Sequence, residues 1–390
     1  MDNNIVIFAI FLIFSGAAAM ATLALYTRQS LLMVYIGLGM LLGPWGLGLM
    51  SDPVLIKQTG EVGIVFLLFL MGLNLSLDDF LKTFRNMAWV ALVSSLVFAA
   101  VGFTIAHYSG LNIAESVIVG AAMMFSSTII GLKLLPTTVL HHQHVGEVMV
   151  GILLLQDIIA IIALLILKSV SEGGNISSTM ILKAAIAFPI LTVGGYVAEK
   201  YVLRVLLARF DYVREYIFLL MLGWCLAFAQ LAQMFNLSYE VGAFIAGIVV
   251  AASPVALYVA ESLKPLRDFF LVMFFFSIGA GFNWHYGIQL FWPALILAVA
   301  MMVLKPTVFA LLLKRNGEPK AIAWEIGIRL AQNSEFSLLL AYLARSGNFI
   351  SREASNLIQS ATILTFLVAS YWVVLKYPSP LAFSTKLRRD

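Results

Sequence analysis

Apolar runs of bilayer length recur from one end of this chain to the other. The stretch IVIFAIFLIFSGAAAMATLAL (5–25) is the first of them and SNLIQSATILTFLVASYWVVLK (355–376) the last. Runs of roughly 17–25 apolar residues are long enough to cross the hydrocarbon core of a bilayer as helices. Inside hydrocarbon the backbone must satisfy its own hydrogen bonds, which leaves helices and closed barrels as the spanning structures. A barrel would show segments of about ten residues with alternating polarity, and none are visible. Only 11% of the residues are charged, against about 25% in soluble domains. The chain therefore reads as an all-α polytopic membrane protein. The expected helices are thirteen, at roughly 5–25, 31–43, 60–76, 87–106, 114–134, 146–167, 179–200, 215–235, 239–252, 265–282, 288–313, 321–344 and 355–376. A short basic tail, 377–390, follows them.

The net charge of +4 is no nucleic-acid signal, because the bases sit in loops between the apolar segments. The first residues, MDNN, carry an acid and no base, which argues against a cleaved signal peptide and for a first span that starts outside. With that start, seventeen of the twenty-four bases fall on the inner side, among them Lys200, Arg204, Arg209, Arg214, Lys314 and Arg315. The positive-inside rule then places the C-terminus in the cytoplasm of a cell with its N-terminus outside. Cys225 is the only cysteine, so neither an intrachain disulfide nor a Cys/His metal cluster is expected.

The two halves of the chain echo each other. VYIGLGMLLGP (34–44) matches VGAFIAGIVVAASP (241–254), FLLFLMGLNL (66–75) matches MFFFSIGAGF (273–282), and Ser126-Ser127-Thr128 matches Gln332-Asn333-Ser334-Glu335. The separations of Pro44 from Pro254, Gly72 from Gly279 and Ser127 from Asn333 are 210, 207 and 206 positions. A nearly constant offset over spans one to six (5–167) and eight to thirteen (215–376), with span seven (179–200) between, reads as an inverted repeat. Such repeats are typical of secondary transporters, whose site lies at the midplane between discontinuous helices.

Asp157 lies in the middle of LLLQDIIAIIALL. A carboxylate at that depth is expensive and marks a functional site by default; the competing reading is a structural ion pair. Its one local polar neighbour is Gln156. Lys305, mid-span and followed by Pro306, is the expected charge partner, with snorkelling to an interface as the alternative. The matching position in the first half, near Phe98, carries no charge. The hydroxyls of Ser126, Ser127 and Thr128 suit a helix break whose freed carbonyls receive a dehydrated cation; the alternative is hydroxyls bonded back to an intact helix. Glu61 and Glu240 open their spans as helix caps. Arg329 and Glu335 either pair with each other or line a pathway with Ser126, Gln332 and Asn333. His141, His142 and His144 form a solvated loop or a pH sensor. Gly37, Gly39 and Gly43 follow no strand and make no dinucleotide fingerprint, and no cofactor motif or nucleophile–base pair appears, so no enzyme is expected.

Together these motifs resemble the second family of monovalent cation:proton antiporters, which holds the Kef-type potassium/proton and Nap-type sodium/proton exchangers. The resemblance rests on GMLLGPWGL (39–47), GEVGIVFLLFLMGLNL (60–75), SSTII (126–130), LLLQDIIAI (153–161), GAFIAGIVVA (242–251), FFFSIGAGFN (274–283), Lys305 and AQNSEFSLLLA (331–341). It covers about residues 5–376. It implies a sodium/proton antiporter fold with two crossed broken helices, a dimerisation domain and an elevator-like core. It also implies that Asp157 and Gln156, with Ser127 and Thr128, bind the ion and that Lys305 pairs with Asp157. Two departures stand out. The Kef-type cytoplasmic nucleotide-binding domain matches nothing in these residues, so glutathione-type gating is not expected. The second break reads QNSEF, where Kef-type relatives tend to carry glycines.

The expected activity is exchange of K⁺ or Na⁺ for H⁺ by alternating access, electroneutral because one carboxylate holds the exchanged charge. The expected partners are the monovalent cation, the proton, membrane lipid and a second copy of the chain, in the inner membrane. A cation channel of the same fold and a sodium-coupled organic-anion symporter are the rivals. A channel would not move protons in fixed proportion, and an organic anion finds no clear group beyond Lys305 and Arg329.

Overall fold

The computed structural model describes residues 5–27, 31–73, 77–135, 144–171, 178–210, 213–235, 237, 239–253 and 256–379. Arg28, His141, His142, Pro254 and the tail beyond residue 379 lie outside the described residues. The helices are α1 (Ile5–Thr27), α2 (Leu31–Leu42), α3 (Pro53–Leu73), α4 (Leu77–Tyr108), α5 (Ile113–Met123), α6 (Thr128–Lys133), α7 (His144–Ser171), α8 (Ser178–Ala198), α9 (Arg204–Phe210), α10 (Arg214–Met234), α11 (Tyr239–Ala251), α12 (Ala256–Ser262), α13 (Lys264–Gly281), α14 (Trp284–Gln289), α15 (Phe291–Arg315), α16 (Lys320–Arg329), α17 (Glu335–Ser346) and α18 (Arg352–Lys376). Each of the thirteen apolar segments is helical over most of its described residues, with 114–134 and 321–344 interrupted part-way. Among the described residues, seven helices are each long and apolar enough to cross a membrane alone.

Three boundaries differ from expectation. Helix α4 begins at Leu77 rather than near residue 87. Helix α3 starts at Pro53 rather than near residue 60, because Asp52 caps it: Asp52 Oδ1 accepts from the N–H of Val54 at 2.9 Å and of Leu55 at 3.4 Å, and proline suits a first helical turn. Glu61 is therefore two turns inside α3 and caps nothing. Helix α8 does not end near residue 200. It continues through a π turn, Glu199–Leu203, into α9, and the fully buried Glu199 carboxylate holds the Arg204 guanidinium at 3.0 Å.

The helices pack in two groups. Helices α1, α2, α3, α10, α11 and α13 pack on one another, and α4, α5 and α7 pack with α15–α18. In the first group α2 crosses α13 and α3 crosses α11 with backbones in contact. A Cβ at Gly39 would overlap the Phe276 carbonyl, one at Gly279 the Ile36 carbonyl, and one at Gly247 the Phe69 carbonyl. Only glycine permits such approach. The two crossings are mates under the repeat: 247 − 39 is 208 and 279 − 72 is 207. Each crossing thus pairs a helix from the first half of the chain with one from the second.

Candidate ion-binding site

The second helix group is organised around two interrupted helices. The first runs through α5, breaks at 124–127 and resumes as α6. The second runs through α16, breaks at 330–334 and resumes as α17. The restarts are capped in sequence-local fashion. Ser127 Oγ accepts from the Ile130 N–H at 3.1 Å. Ser334 caps α17 in a box with Ser337, each side chain serving the other's backbone. The breaks touch each other directly: Ser126 Oγ donates to the Leu330 carbonyl at 2.8 Å, and Ser337 Oγ donates to the Ala122 carbonyl. These hydroxyls do not bond back to their own helix. The expected break and crossing are both present.

A break inside hydrocarbon leaves backbone groups that the protein itself must satisfy. Gln156 does this for the first break. Its Oε1 accepts from the Ser126 N–H at 3.0 Å and its Nε2 donates to the Met124 carbonyl at 3.1 Å. Thr365, on α18, does the equivalent for the second, accepting from the Asn333 N–H at 3.0 Å. The separation 365 − 156 is 209, so the repeat offset could have located Thr365, which sequence reasoning missed. Ser337 stands 209 positions after Thr128, so the same offset points to it as well.

Asp157 follows Gln156 on α7 and is 1% exposed. Thr128 Oγ1, the first residue after the break, lies 3.2 and 3.1 Å from its two carboxyl oxygens. Glu335, in the first turn of α17, is a second buried carboxyl. The amide oxygens Gln332 Oε1 and Asn333 Oδ1 are buried with no hydrogen-bond donor among the described residues. Buried acceptors in that condition suit the approach of a cation or a water.

Lys305 departs from expectation. It is fully buried and makes no ion pair with Asp157. Its Nζ donates to the Phe125 carbonyl at 2.6 Å and to the Gln332 carbonyl at 3.3 Å, one from each break. The physical reason is that unwound carbonyls, adjoining the negative ends of α5 and α16, are the nearer acceptors. The Phe98 ring centroid lies 5.5 Å from Nζ, a cation–π distance. Phe98 is the repeat mate of Lys305, so one half supplies the cation and the other the ring that faces it.

The remaining candidates are structural or peripheral. Arg329 pairs with Glu325 at 2.8 Å, not with Glu335. Glu61 meets Lys57 at 3.6 Å and accepts from the Tyr342 hydroxyl at 3.5 Å. Glu240 lies in the first turn of α11, as expected. His144 opens α7 and bonds Glu318 at 2.8 Å.

A family model described as sodium/hydrogen exchanger, transmembrane, matches residues 8–375. The chain belongs to the sodium/hydrogen exchanger family. It is 30% identical over 356 residues to K(+) efflux antiporter 6 of Arabidopsis thaliana, covering 87% of this chain and 58% of that one. It is 28% identical over 386 residues to the glutathione-regulated potassium-efflux system protein KefC of Klebsiella pneumoniae, covering 96% and 61%. It is 26% identical to the iron transporter MagA of Paramagnetospirillum magneticum, covering 89% and 80%. The chain thus spans about three fifths of the length of these potassium-efflux relatives. The relatives place this exchanger-family chain in cation/proton antiporter family 2. The sodium proton antiporter MjNhaP1 of Methanocaldococcus jannaschii superposes with a TM-score of 0.71 over 98% of both chains at 15% identity. That likeness shows the fold.

Proposed function

We propose that this protein exchanges a monovalent cation, potassium ahead of sodium, for protons across the membrane. The observation that carries the reading is the buried Asp157 carboxyl touching Thr128 at the restart of a broken helix. A carboxyl there holds either a proton or a partly dehydrated cation. Thr128 Oγ1 and the orphaned amide oxygens of Gln332 and Asn333 supply hard oxygen ligands of the kind such a cation takes. Ser127 serves the restart of the helix, its carbonyl accepting from the Gly131 N–H at 3.1 Å. Gln156 serves by holding the break open.

The position of Lys305 supports electroneutral exchange. Bound to two carbonyls rather than to Asp157, the ammonium keeps its place and its charge whether Asp157 carries a proton or a cation. One proton replaced by one cation then leaves the carrier's charge unchanged. Glu335 is a second buried carboxyl near the centre, and the reading has it keep one protonation state through the cycle. Alternating access is the movement of α4–α7 and α15–α18 against the glycine-crossed group. That group forms the homodimer contact. The N-terminus lies outside and the C-terminus in the cytoplasm of an inner-membrane protein.

The test is proton movement in proteoliposomes under imposed gradients of K⁺, Na⁺, Li⁺, Rb⁺ or choline. The reading expects proton flux coupled to K⁺, weaker coupling to Na⁺ and none to choline. Cation current without coupled proton movement would sink it in favour of a channel.

A further inference from the structure

We propose that Arg329 is a positioning residue for the cation site, and that it ties the C-terminal segment Tyr377–Ser379 to the short helix that carries Thr128. The proposal rests on the reading of Thr128 and Asp157 as the exchange site.

Arg329 is 1% exposed, a burial that a charged group tolerates only when it is paired and bonded. Glu325 alone would neutralise it, through contacts to Nε at 3.0 Å and Nη2 at 2.8 Å. The guanidinium nevertheless reaches two further elements. Nη1 donates to the Leu134 carbonyl at 3.1 Å and Nη2 to the Pro378 carbonyl at 3.0 Å. The Tyr377 ring centroid lies 5.3 Å from the guanidinium carbon. Ser379 beyond it is fully buried. One planar cation thus joins α16, the end of α6 and the chain leaving α18. Five donors in a fixed fork make this possible, whereas a lysine has a single nitrogen to share.

Helix α6 needs such an anchor. Six residues are well below the length at which a helix stands alone. It is roughly 9 Å long at 1.5 Å per residue, with Thr128 at one end and Leu134 just past the other. Over that distance a single turn and a half moves as a rod. A displacement of the Leu134 carbonyl therefore carries to the Thr128 hydroxyl and alters its contact with Asp157. Because the same guanidinium holds the Pro378 carbonyl, the seating of residues 377–379 sets the affinity of the site for its cation.

The test uses the full chain in proteoliposomes, with K⁺-dependent proton flux read as apparent KM and maximal rate beside a thermal melt. Arg329→Lys keeps the charge and loses the fork. It is expected to raise the KM for K⁺ about 10-fold with the maximal rate within about twofold, the signature of weakened binding. Tyr377→Leu leaves every bond of Arg329 in place and removes the ring; it is expected to raise KM about 2–3-fold, and the double variant to match Arg329→Lys alone because both act through one link. An unchanged KM in Tyr377→Leu, or a lowered melting temperature without any KM change in either variant, overturns the proposal. Absence of cation-coupled flux in the wild-type protein would instead overturn the exchange reading, so the two failures are distinguishable.

Discussion

Replacing Gln156 with leucine removes both bonds that bridge the first helix break while nearly conserving side-chain volume. The Ser126 N–H loses its acceptor and the Met124 carbonyl its donor. Ser126 is fully buried, so water cannot substitute there without rearrangement. A buried backbone group left unpaired costs about 1–3 kcal/mol, and two give roughly 2–6 kcal/mol. That is far outside the ±0.5 kcal/mol typical of surface changes. The ionised Gln156→Glu side chain keeps the acceptor for Ser126 and loses the donor for Met124, so its backbone penalty is about half, to which repulsion from Asp157 adds when both are charged. The assay is thermal unfolding of the purified protein in detergent, paired with K⁺-dependent proton flux. Gln156→Leu is expected to melt well below wild type and to lose most of its flux, since Thr128 is placed by the same break. A Gln156→Leu protein that melts and transports as wild type does would refute the idea that this amide substitutes for missing helix bonds.

Other consequences follow from single contacts. Lys305→Met deletes two charge-assisted bonds worth about 1.5–3 kcal/mol each and strands the carbonyls of Phe125 and Gln332; flux should collapse, and wild-type flux in this variant would show that the breaks do not need the ammonium. Gly279→Ala forces a methyl group into the Ile36 carbonyl; an overpacking cost of about 1–3 kcal/mol should lower the melting temperature while leaving the KM for K⁺ unchanged, and a shifted KM would mean that the glycine-crossed group shapes the site. Electroneutral exchange should ignore a clamped membrane potential, which acts on moved charge at about 2.3 kcal/mol per charge per 100 mV. A reversal point that moves with potential would show net charge transfer and point to Glu335 as a second exchanging carboxyl.

Much of this architecture was legible before any coordinates. Apolar length located the thirteen helical segments, and the offset of about 207 positions tied the two breaks together, whereas the glycine crossings became visible only in the packing. Ser126, Ser127, Gln332 and Asn333 announced the breaks because hydroxyls and amides at mid-span have few other uses. What the pattern could not rank was competition between partners. Lys305 and Asp157 look like a pair by charge alone, yet the unwound carbonyls are closer, and only three-dimensional placement reveals that. Glu61 looked like a cap because the apolar run begins beside it, whereas Asp52 followed by Pro53 is the stronger start signal. Arg329 was considered with Glu335, although Glu325 at the i, i+4 spacing was the partner in plain view. The resemblance implies Gln156 as an ion ligand beside Asp157; its two bonds to the broken backbone had no signal in the sequence.

The most direct test concerns Asp157 itself. Asp157→Asn preserves the size of the side chain and an oxygen for Thr128, and it removes the ability to exchange a proton for a cation. The purified variant should elute and melt as wild type does and, in proteoliposomes, show no proton movement coupled to K⁺, Na⁺, Li⁺ or Rb⁺. Cation-coupled proton flux in Asp157→Asn near the wild-type rate would contradict the account at its centre.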